Sequence, residues 1–139
     1  MQDGTKIDMY IYRPKTLKSQ SAPGMIYAHG GGGVFTDATL SHGYLSIVAV
    51  NLNCVIFSVN YRKGPEVKAP QGSQDFVDAI NYVLSKAGSY GCDANKFAAC
   101  GVSGGGWILC GAANILVRAN DIAKIKVLFF ETTMNCLAA

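Results

Sequence analysis

Histidine and charged side chains are scarce in this sequence of 139 residues, which has two histidines and 15% charged residues. The formal net charge of +3 is small and the basic residues are scattered, so nucleic-acid binding is not expected. An apolar fraction of 50% excludes intrinsic disorder, which needs low hydrophobicity and high net charge. The length predicts at most one domain, with enough residues to bury a core.

Cysteine pairs and a signal peptide are also missing. The 5 cysteines are odd in number, and no two have the C-x-x-C spacing. His29 and His42 lie far in sequence from any pair of cysteines, so no metal site is expected. We expect free cysteines, with Cys54, Cys100 and Cys110 in the core. Together with the polar first residues, which lack an apolar signal segment, this predicts a cytoplasmic protein.

The longest apolar run, residues 97–117, contains no charge. It also contains five glycines, three of them consecutive, and each costs a helix about 1 kcal/mol relative to alanine. The run therefore predicts a strand, a tight turn and a helix rather than a membrane span.

Apolar strand-like runs alternate with amphipathic stretches along the chain. Strands are predicted over residues 7–13, 24–28, 54–61, 97–102 and 126–130, and helices over residues 39–50, 74–87 and 104–117. Ser73 is the expected cap of the second helix and Gly88 its stop. The alternation predicts an α/β fold with a mostly parallel sheet covered on both faces by helices. In such sheets the chemistry lies at the carboxyl ends of the strands.

The segment Gly101-Val102-Ser103-Gly104-Gly105 has the G-x-S-x-G pattern of a nucleophile elbow. It lies between a predicted strand and a predicted helix, which is the context that the pattern requires. The sharp turn needs glycine-sized neighbours and directs the amide of Gly104 at the reacting oxygen. The alternative is a glycine-rich turn that only packs a helix on a sheet.

Four consecutive glycines follow His29 at the carboxyl end of the predicted strand 24–28. Glycines let backbone amides approach a ligand closely. An H-G-G-G motif can supply the remaining part of an oxyanion hole, with the histidine orienting the loop rather than acting as a base. The alternative is a flexible loop. A phosphate-binding loop is not favoured, because neither the P-loop pattern nor a helix-opening G-x-G-x-x-G is present.

Together the two motifs resemble the hormone-sensitive-lipase-like branch of the α/β-hydrolases, whose members carry an H-G-G-G loop. Residues 59–66 (Val-Asn-Tyr-Arg-Lys-Gly-Pro-Glu) are similar to the family's Asp-Tyr-Arg-Leu-Ala-Pro-Glu segment, with Asn60 replacing the aspartate. Residues 93–97 are similar to the family's Asp-Pro-x-Arg-Ile segment before the nucleophile strand. The resemblance extends over residues 4–135, nearly the whole chain.

The resemblance implies a serine hydrolase that acts on small carboxylic esters without a cofactor or metal. Ser103 would attack the ester carbonyl, and the amides of Gly31, Gly32 and Gly104 would hold the oxyanion. His29 would orient the glycine loop.

Three residues depart from the family pattern near these motifs. Val102 stands where an acidic residue is usual, Gly104 where alanine is usual, and Gly33 where a bulky residue is usual. We expect these differences to alter the shape of the pocket and the stiffness of the loop without removing the chemistry.

The family places its catalytic acid and histidine after the serine, and residues 104–139 contain no histidine. Their acids are Asp121 and Glu131, of which Glu131 is the better placed, and His42 is the alternative base. Because a serine without a base is a poor nucleophile, we expect the chain alone to be a very weak esterase or inactive. Residues 1–139 are therefore expected to form the N-terminal part of a larger α/β-hydrolase domain.

One other function stays open at this point, and a second is not favoured. The missing histidine also fits a non-catalytic member of the fold that binds a small ligand. Tyr82 and Lys86 match the Y-x-x-x-K pattern of short-chain dehydrogenases, but the dinucleotide-binding loop is missing, so they are interpreted as a surface pair. Residues 127–130 form an apolar run at a predicted sheet edge, through which copies of the chain could associate.

Overall fold

Five strands form a single sheet in the computed structural model, which describes residues 1–131. The strands are β1 (Met9–Tyr12), β2 (Ala22–Ala28), β3 (Val55–Val59), β4 (Cys92–Val102) and β5 (Val127–Glu131). The helices are α1 (His42–Leu52), α2 (Gln71–Ser85) and α3 (Gly104–Arg118), with short 3₁₀ turns at Ala87–Tyr90 and Ile122–Lys124.

The strands stand in the order β1-β3-β2-β4-β5. All neighbouring pairs are parallel except β1 and β3, which are antiparallel. This confirms the predicted mostly parallel sheet. The order makes β2 and β4 neighbours, with Ala28 in register with Gly101. The carboxyl ends of these two strands therefore meet at the same edge of the sheet.

Helices cover both faces of the sheet, as predicted. α1 packs on one face, where Leu45 and Ala49 join a cluster with Tyr27 and Ile56. α2 and α3 pack on the other face, over a larger cluster that includes Phe57. All residues of β3 are buried, which explains why four of its five residues are β-branched or aromatic.

The start of α2 differs from the prediction. The helix begins at Gln71, so Ser73 lies inside it and is buried instead of capping it. A tertiary contact explains the difference, because Ser73 packs against Gly111 of α3. Gly88 likewise lies within a 3₁₀ turn rather than ending α2.

The cysteines follow the prediction in part. Cys54 and Cys100 are buried, but Cys110 is exposed, so its expected place in the core was wrong. Leu109, Ala112 and Leu116 form the buried stripe of α3, and Cys110 falls outside it.

The charge-free run 97–117 forms the end of β4, a turn and most of α3, as predicted. Within residues 1–131, no helix has the length and hydropathy needed to cross a membrane.

Strand β5 is the last strand of the sheet and is exposed on both faces. The side chains of Val127, Leu128, Phe129 and Phe130 are all exposed. The predicted apolar edge is therefore present in the described part of the chain. Association of copies through it stays a prediction.

One guanidinium joins the N-terminal segment to α2. Arg62, just after β3, contacts both carboxylate oxygens of Asp75, through Nε at 2.9 Å and an Nη at 2.6 Å. It also contacts Asp3 at 2.7 Å and donates to the Thr5 hydroxyl at 3.1 Å. The Asp75 side chain is 0% exposed, whereas that of Asp3 is 44% exposed.

We expect Asp75→Asn to lower the free energy of unfolding by about 2–4 kcal/mol, because it removes the buried partner of a charged group. Denaturant unfolding monitored by circular dichroism measures the change. Asp3→Asn is the matched control, since it alters the same ion-pair network at an exposed site and should cost much less. Equal losses in the two variants would contradict this assignment.

Candidate active site

The turn between β4 and α3 holds Ser103 in an unusual backbone conformation. Its φ of 50° and ψ of −120° are rare for a residue with a side chain. The Ser103 amide donates to the Glu131 carbonyl at 3.0 Å, and its carbonyl accepts from the Gly106 amide at 2.8 Å. These bonds fix the serine between the ends of two parallel strands and the start of a helix.

The glycines around Ser103 are required by close backbone packing. A Cβ on Gly101 would lie 2.5 Å from the carbonyl oxygen of Gly105. A Cβ on Gly105 would lie 2.5 Å from the carbonyl oxygen of His29. We call residues 101–105 the elbow turn. A larger residue at Gly101 would push α3 away from β4, and one at Gly105 would push α3 away from the end of β2.

The second glycine run, residues 29–33, lies directly against the elbow turn, and we call it the glycine loop. Gly31, Gly32 and Gly33 have φ values of 114°, 65° and 73°, which favour glycine. A Cβ on Gly104 would lie 2.5 Å from the nitrogen of Gly32. The structure thus brings together Ser103, the Gly104 amide and the glycine loop at the carboxyl edge of β2 and β4.

The amides of Gly31 and Gly32 are not engaged by the backbone around them. Within residues 1–131, neither amide donates a hydrogen bond to a backbone oxygen. Gly104 is the first residue of α3, so its amide lies at the partially positive end of that helix. Such an arrangement can stabilise a developing negative charge on an oxygen.

His29 is buried beneath the glycine loop. Its ring stacks on Tyr61 with centroids 4.5 Å apart, and Nδ1 lies 2.7 Å from the carbonyl oxygen of Gly30. Because a carbonyl can only accept, Nδ1 carries the proton and Nε2 is unprotonated. Burial is the main cause that lowers the pKa of His29, and the charge of nearby Lys63 adds to it. Nε2 is buried and has no partner among the described residues.

The segment after β3 supports the glycine loop at both ends. The Tyr61 hydroxyl donates to the His29 carbonyl at 2.6 Å, and the Gly64 amide donates to the Gly33 carbonyl at 2.9 Å. In the sequence, this segment stands out only as part of a family pattern, which gives it no role. The family pattern is the signal by which the segment could have been found. The hydrogen bonds of Tyr61 and Gly64 to the glycine loop could not be read from it, because they depend on how β3 lies beside β2.

Three residues were considered as the acid or base: Asp121, Glu131 and His42. Among the described contacts, only Glu131 bonds to Ser103, and it does so through its backbone carbonyl. Asp121 follows the far end of α3 and pairs with Lys124 at 2.7 Å. His42 packs on Tyr12, with ring centroids 5.4 Å apart, and Tyr12 is in register with Ile56 near the start of β3. Neither of these two is placed next to the serine by any contact. No cluster of metal-ligating side chains occurs in the part of the chain that the structure describes.

Comparison with known proteins agrees with this geometry. A family model described as the α/β-hydrolase fold matches residues 25–134, which include both glycine motifs and Ser103. The chain belongs to the α/β-hydrolase family. The resemblance to its hormone-sensitive-lipase-like esterases is confirmed by relatives and by solved structures.

Among the curated relatives of this α/β-hydrolase are a human arylacetamide deacetylase-like 3 and the esterase LipI of Mycobacterium tuberculosis. The first is 33% identical over 120 residues, and the match covers 86% of this chain and 30% of the relative. The second is 35% identical over 120 residues, and the match covers 86% of this chain and 37% of the relative. The chain thus spans about a third of the length of these relatives.

Solved esterases share the fold over nearly the whole chain. The thermophilic carboxylesterase EstE1, from a metagenomic library, superposes with a TM-score of 0.87 at 26% identity, covering 99% of this chain and 47% of its own. The hyperthermophilic esterase of Pyrobaculum calidifontis superposes with a TM-score of 0.80 at 30% identity. The match covers 88% of this chain and 38% of that esterase.

Gly104 is the departure from the family pattern with the clearest structural effect. An alanine there would bring its Cβ within 2.5 Å of the Gly32 nitrogen and 2.8 Å of the Gly33 nitrogen. The glycine loop of this chain therefore lies closer to the elbow turn than an alanine would allow.

We expect Gly104→Ala to displace the glycine loop and to lower the free energy of unfolding by about 1–3 kcal/mol, as overpacking does. Both atoms in the way belong to the backbone and cannot rotate aside. Gly43→Ala in α1 is the control, because its Cβ would meet nothing within 4 Å. Chemical denaturation of both variants checks the prediction, and a neutral Gly104→Ala would contradict it.

We expect the ring of His29 to stay neutral and protonated on Nδ1 at pH 6.5, where a free histidine is about half protonated. Its lowered pKa has a consequence for stability: below about pH 6.5 the unfolded chain binds a proton that the folded chain does not, so stability falls. Nitrogen-15 spectra of the imidazoles during a pH titration test the assignment. A His29 that titrates at the pH of a free histidine, or carries its proton on Nε2, would overturn it.

Proposed function

We propose that the protein hydrolyses carboxylic esters through a serine nucleophile and an acyl-enzyme intermediate. Ser103 is the proposed nucleophile, and the amides of Gly31, Gly32 and Gly104 are the proposed oxyanion hole. The observation that carries the proposal is the direct backbone contact between Gly104 and Gly32, which puts amides of two separate segments beside one serine. The esterases among its relatives support the same reaction class.

In the proposed reaction, Ser103 Oγ forms a bond to the ester carbonyl carbon while a base takes the hydroxyl proton. The carbonyl oxygen becomes an oxyanion, to which the three amides donate. The carbonyl then re-forms and the alcohol leaves with the proton, which gives an acyl-serine. Water attacks the acyl-serine in the same way and releases the acid. Removal of one amide donor from such a site typically costs about 10²–10³ in rate.

The base is the component that these 139 residues lack in its usual place. Residues 104–139 contain no histidine, and no contact places His42 beside Ser103. We therefore propose that this chain binds and polarises the ester carbonyl but deprotonates Ser103 slowly. A general base contributes about 10²–10⁴ in rate. Its absence therefore lowers the rate of ester hydrolysis strongly but leaves the nucleophile and the oxyanion hole in place.

Imidazole added to the solution can act as the base and so tests the proposal directly. The folded chain is incubated with a small fluorophosphonate, with and without imidazole, and the adduct is followed by intact-mass spectrometry. We expect a single adduct per chain, formed about tenfold faster or more with imidazole. The Ser103→Ala variant, shown to be folded by circular dichroism, should form none.

Two outcomes would overturn the proposal. An adduct that persists in Ser103→Ala would place the reactive group elsewhere. No adduct under any condition, in a folded chain, would instead favour a protein that binds a small ligand without catalysis. Fast labelling without imidazole would keep the nucleophile but show that a base is present within the chain.

A further inference from the structure

Two hydrogen bonds fix the carbonyl oxygen of the peptide unit between Gly30 and Gly31. The Gly30 carbonyl accepts a hydrogen bond from the Thr36 hydroxyl at 2.9 Å and another from His29 Nδ1 at 2.7 Å. This peptide is trans, so its N–H points away from its carbonyl. Two donors that fix the Gly30 oxygen therefore also fix the direction of the Gly31 amide.

The next peptide unit is held in the same way. The Gly31 carbonyl accepts from the amides of Val34 at 3.1 Å and Phe35 at 2.9 Å. The Gly32 amide must then point away from the turn formed by residues 31–35. Both carbonyls thus accept hydrogen bonds from residues 29–36, while the amides of Gly31 and Gly32, proposed for the oxyanion hole, are left without a backbone acceptor among the described residues.

Thr36 is the least expected member of this arrangement. Its φ of 66° is unusual, because a β-branched residue rarely adopts the left-handed region. Its side chain is nevertheless exposed and has no part in either core cluster. Its hydroxyl lies where a side chain on Gly31 would start, 2.5 Å from the position of a Cβ there. Backbone strain at an exposed threonine is therefore accompanied by two contacts of its hydroxyl with the glycine loop, one to the Gly30 carbonyl at 2.9 Å and one to His29 Nδ1 at 3.3 Å.

We propose that Thr36 is a positioning residue of the oxyanion hole: its hydroxyl, together with His29, orients the Gly30–Gly31 peptide so that the Gly31 amide faces the reacting oxygen. This inference rests on the proposed function. It assigns to Thr36 a role that no motif in the sequence indicates. The role is indirect, because Thr36 acts through the peptide and does not itself contact the ester.

Three substitutions at this exposed position separate positioning from stability. Thr36→Val keeps the shape and the β-branch but loses the hydroxyl. Thr36→Ser keeps the hydroxyl. Thr36→Gly loses the hydroxyl and also relieves the strain of a positive φ, so it should fold at least as well as the parent chain.

We expect imidazole-assisted labelling of Ser103 by the fluorophosphonate to slow about tenfold or more in both Thr36→Val and Thr36→Gly. Thr36→Ser should stay within about threefold of the parent chain, because its hydroxyl can make the same bond. A purely structural role predicts the opposite for glycine, namely normal labelling in the variant that folds best. Normal labelling in Thr36→Gly, or equally slow labelling in Thr36→Ser, would overturn the proposal.

A second readout does not depend on reactivity. In chains labelled with nitrogen-15 glycine, the Gly31 amide signal should move in Thr36→Val and Thr36→Gly but not in Thr36→Ser. If the parent chain forms no Ser103 adduct, the proposed function fails and this spectrum still decides whether Thr36 orients the peptide. An unmoved Gly31 signal in both hydroxyl-free variants would refute the orientation itself.

Discussion

Backbone packed directly on backbone is the contact on which the rest of this structure depends. Gly104 lies against Gly32, and Gly105 lies against the carbonyls at the end of β2. Such contacts are possible only if β2 and β4 are neighbours whose carboxyl ends are level, as the sheet order and register make them. The same contacts require glycine on both sides. The glycine-rich composition and the crossover topology are therefore two consequences of one requirement, that the elbow turn and the glycine loop pack backbone against backbone.

Much of this arrangement could be predicted from the sequence, because its signals are local. The alternation of strands and helices follows from hydrophobic periodicity, and a G-x-S-x-G between a strand and a helix identifies the elbow turn. The errors arose where a distant contact decides the outcome. Ser73 lies within α2 because it meets Gly111 of α3, and Cys110 is exposed because other residues of α3 form its buried stripe. Thr36 could not be found, since its hydrogen bond closes a turn that no spacing rule describes.

A buried ion pair anchors the segment that supports the glycine loop. Arg62 binds the buried carboxylate of Asp75 and so attaches the segment after β3 to α2. The neighbours of Arg62 in that segment, Tyr61 and Gly64, then bond to the two ends of the glycine loop. A buried ion pair is weak support for stability by itself, because desolvation offsets much of the attraction. The ion pair instead orients the segment, because a guanidinium that binds both carboxylate oxygens restricts the angle at which the segment meets α2.

The oxyanion hole and the proton-transfer machinery of a serine hydrolase have different structural origins. The amides proposed for the oxyanion hole, those of Gly31, Gly32 and Gly104, belong to the backbone, so the packing of β2, β4 and α3 positions them. A general base is a side chain, and it can come from any segment whose chain path returns to the same edge of the sheet. A polypeptide can therefore hold a fully oriented set of donors while Ser103 still lacks a base. Electrostatic preorganisation depends on the oxyanion-hole amides, whereas pH-dependent nucleophilicity depends on the general base. A base added to the solution therefore separates the two contributions experimentally.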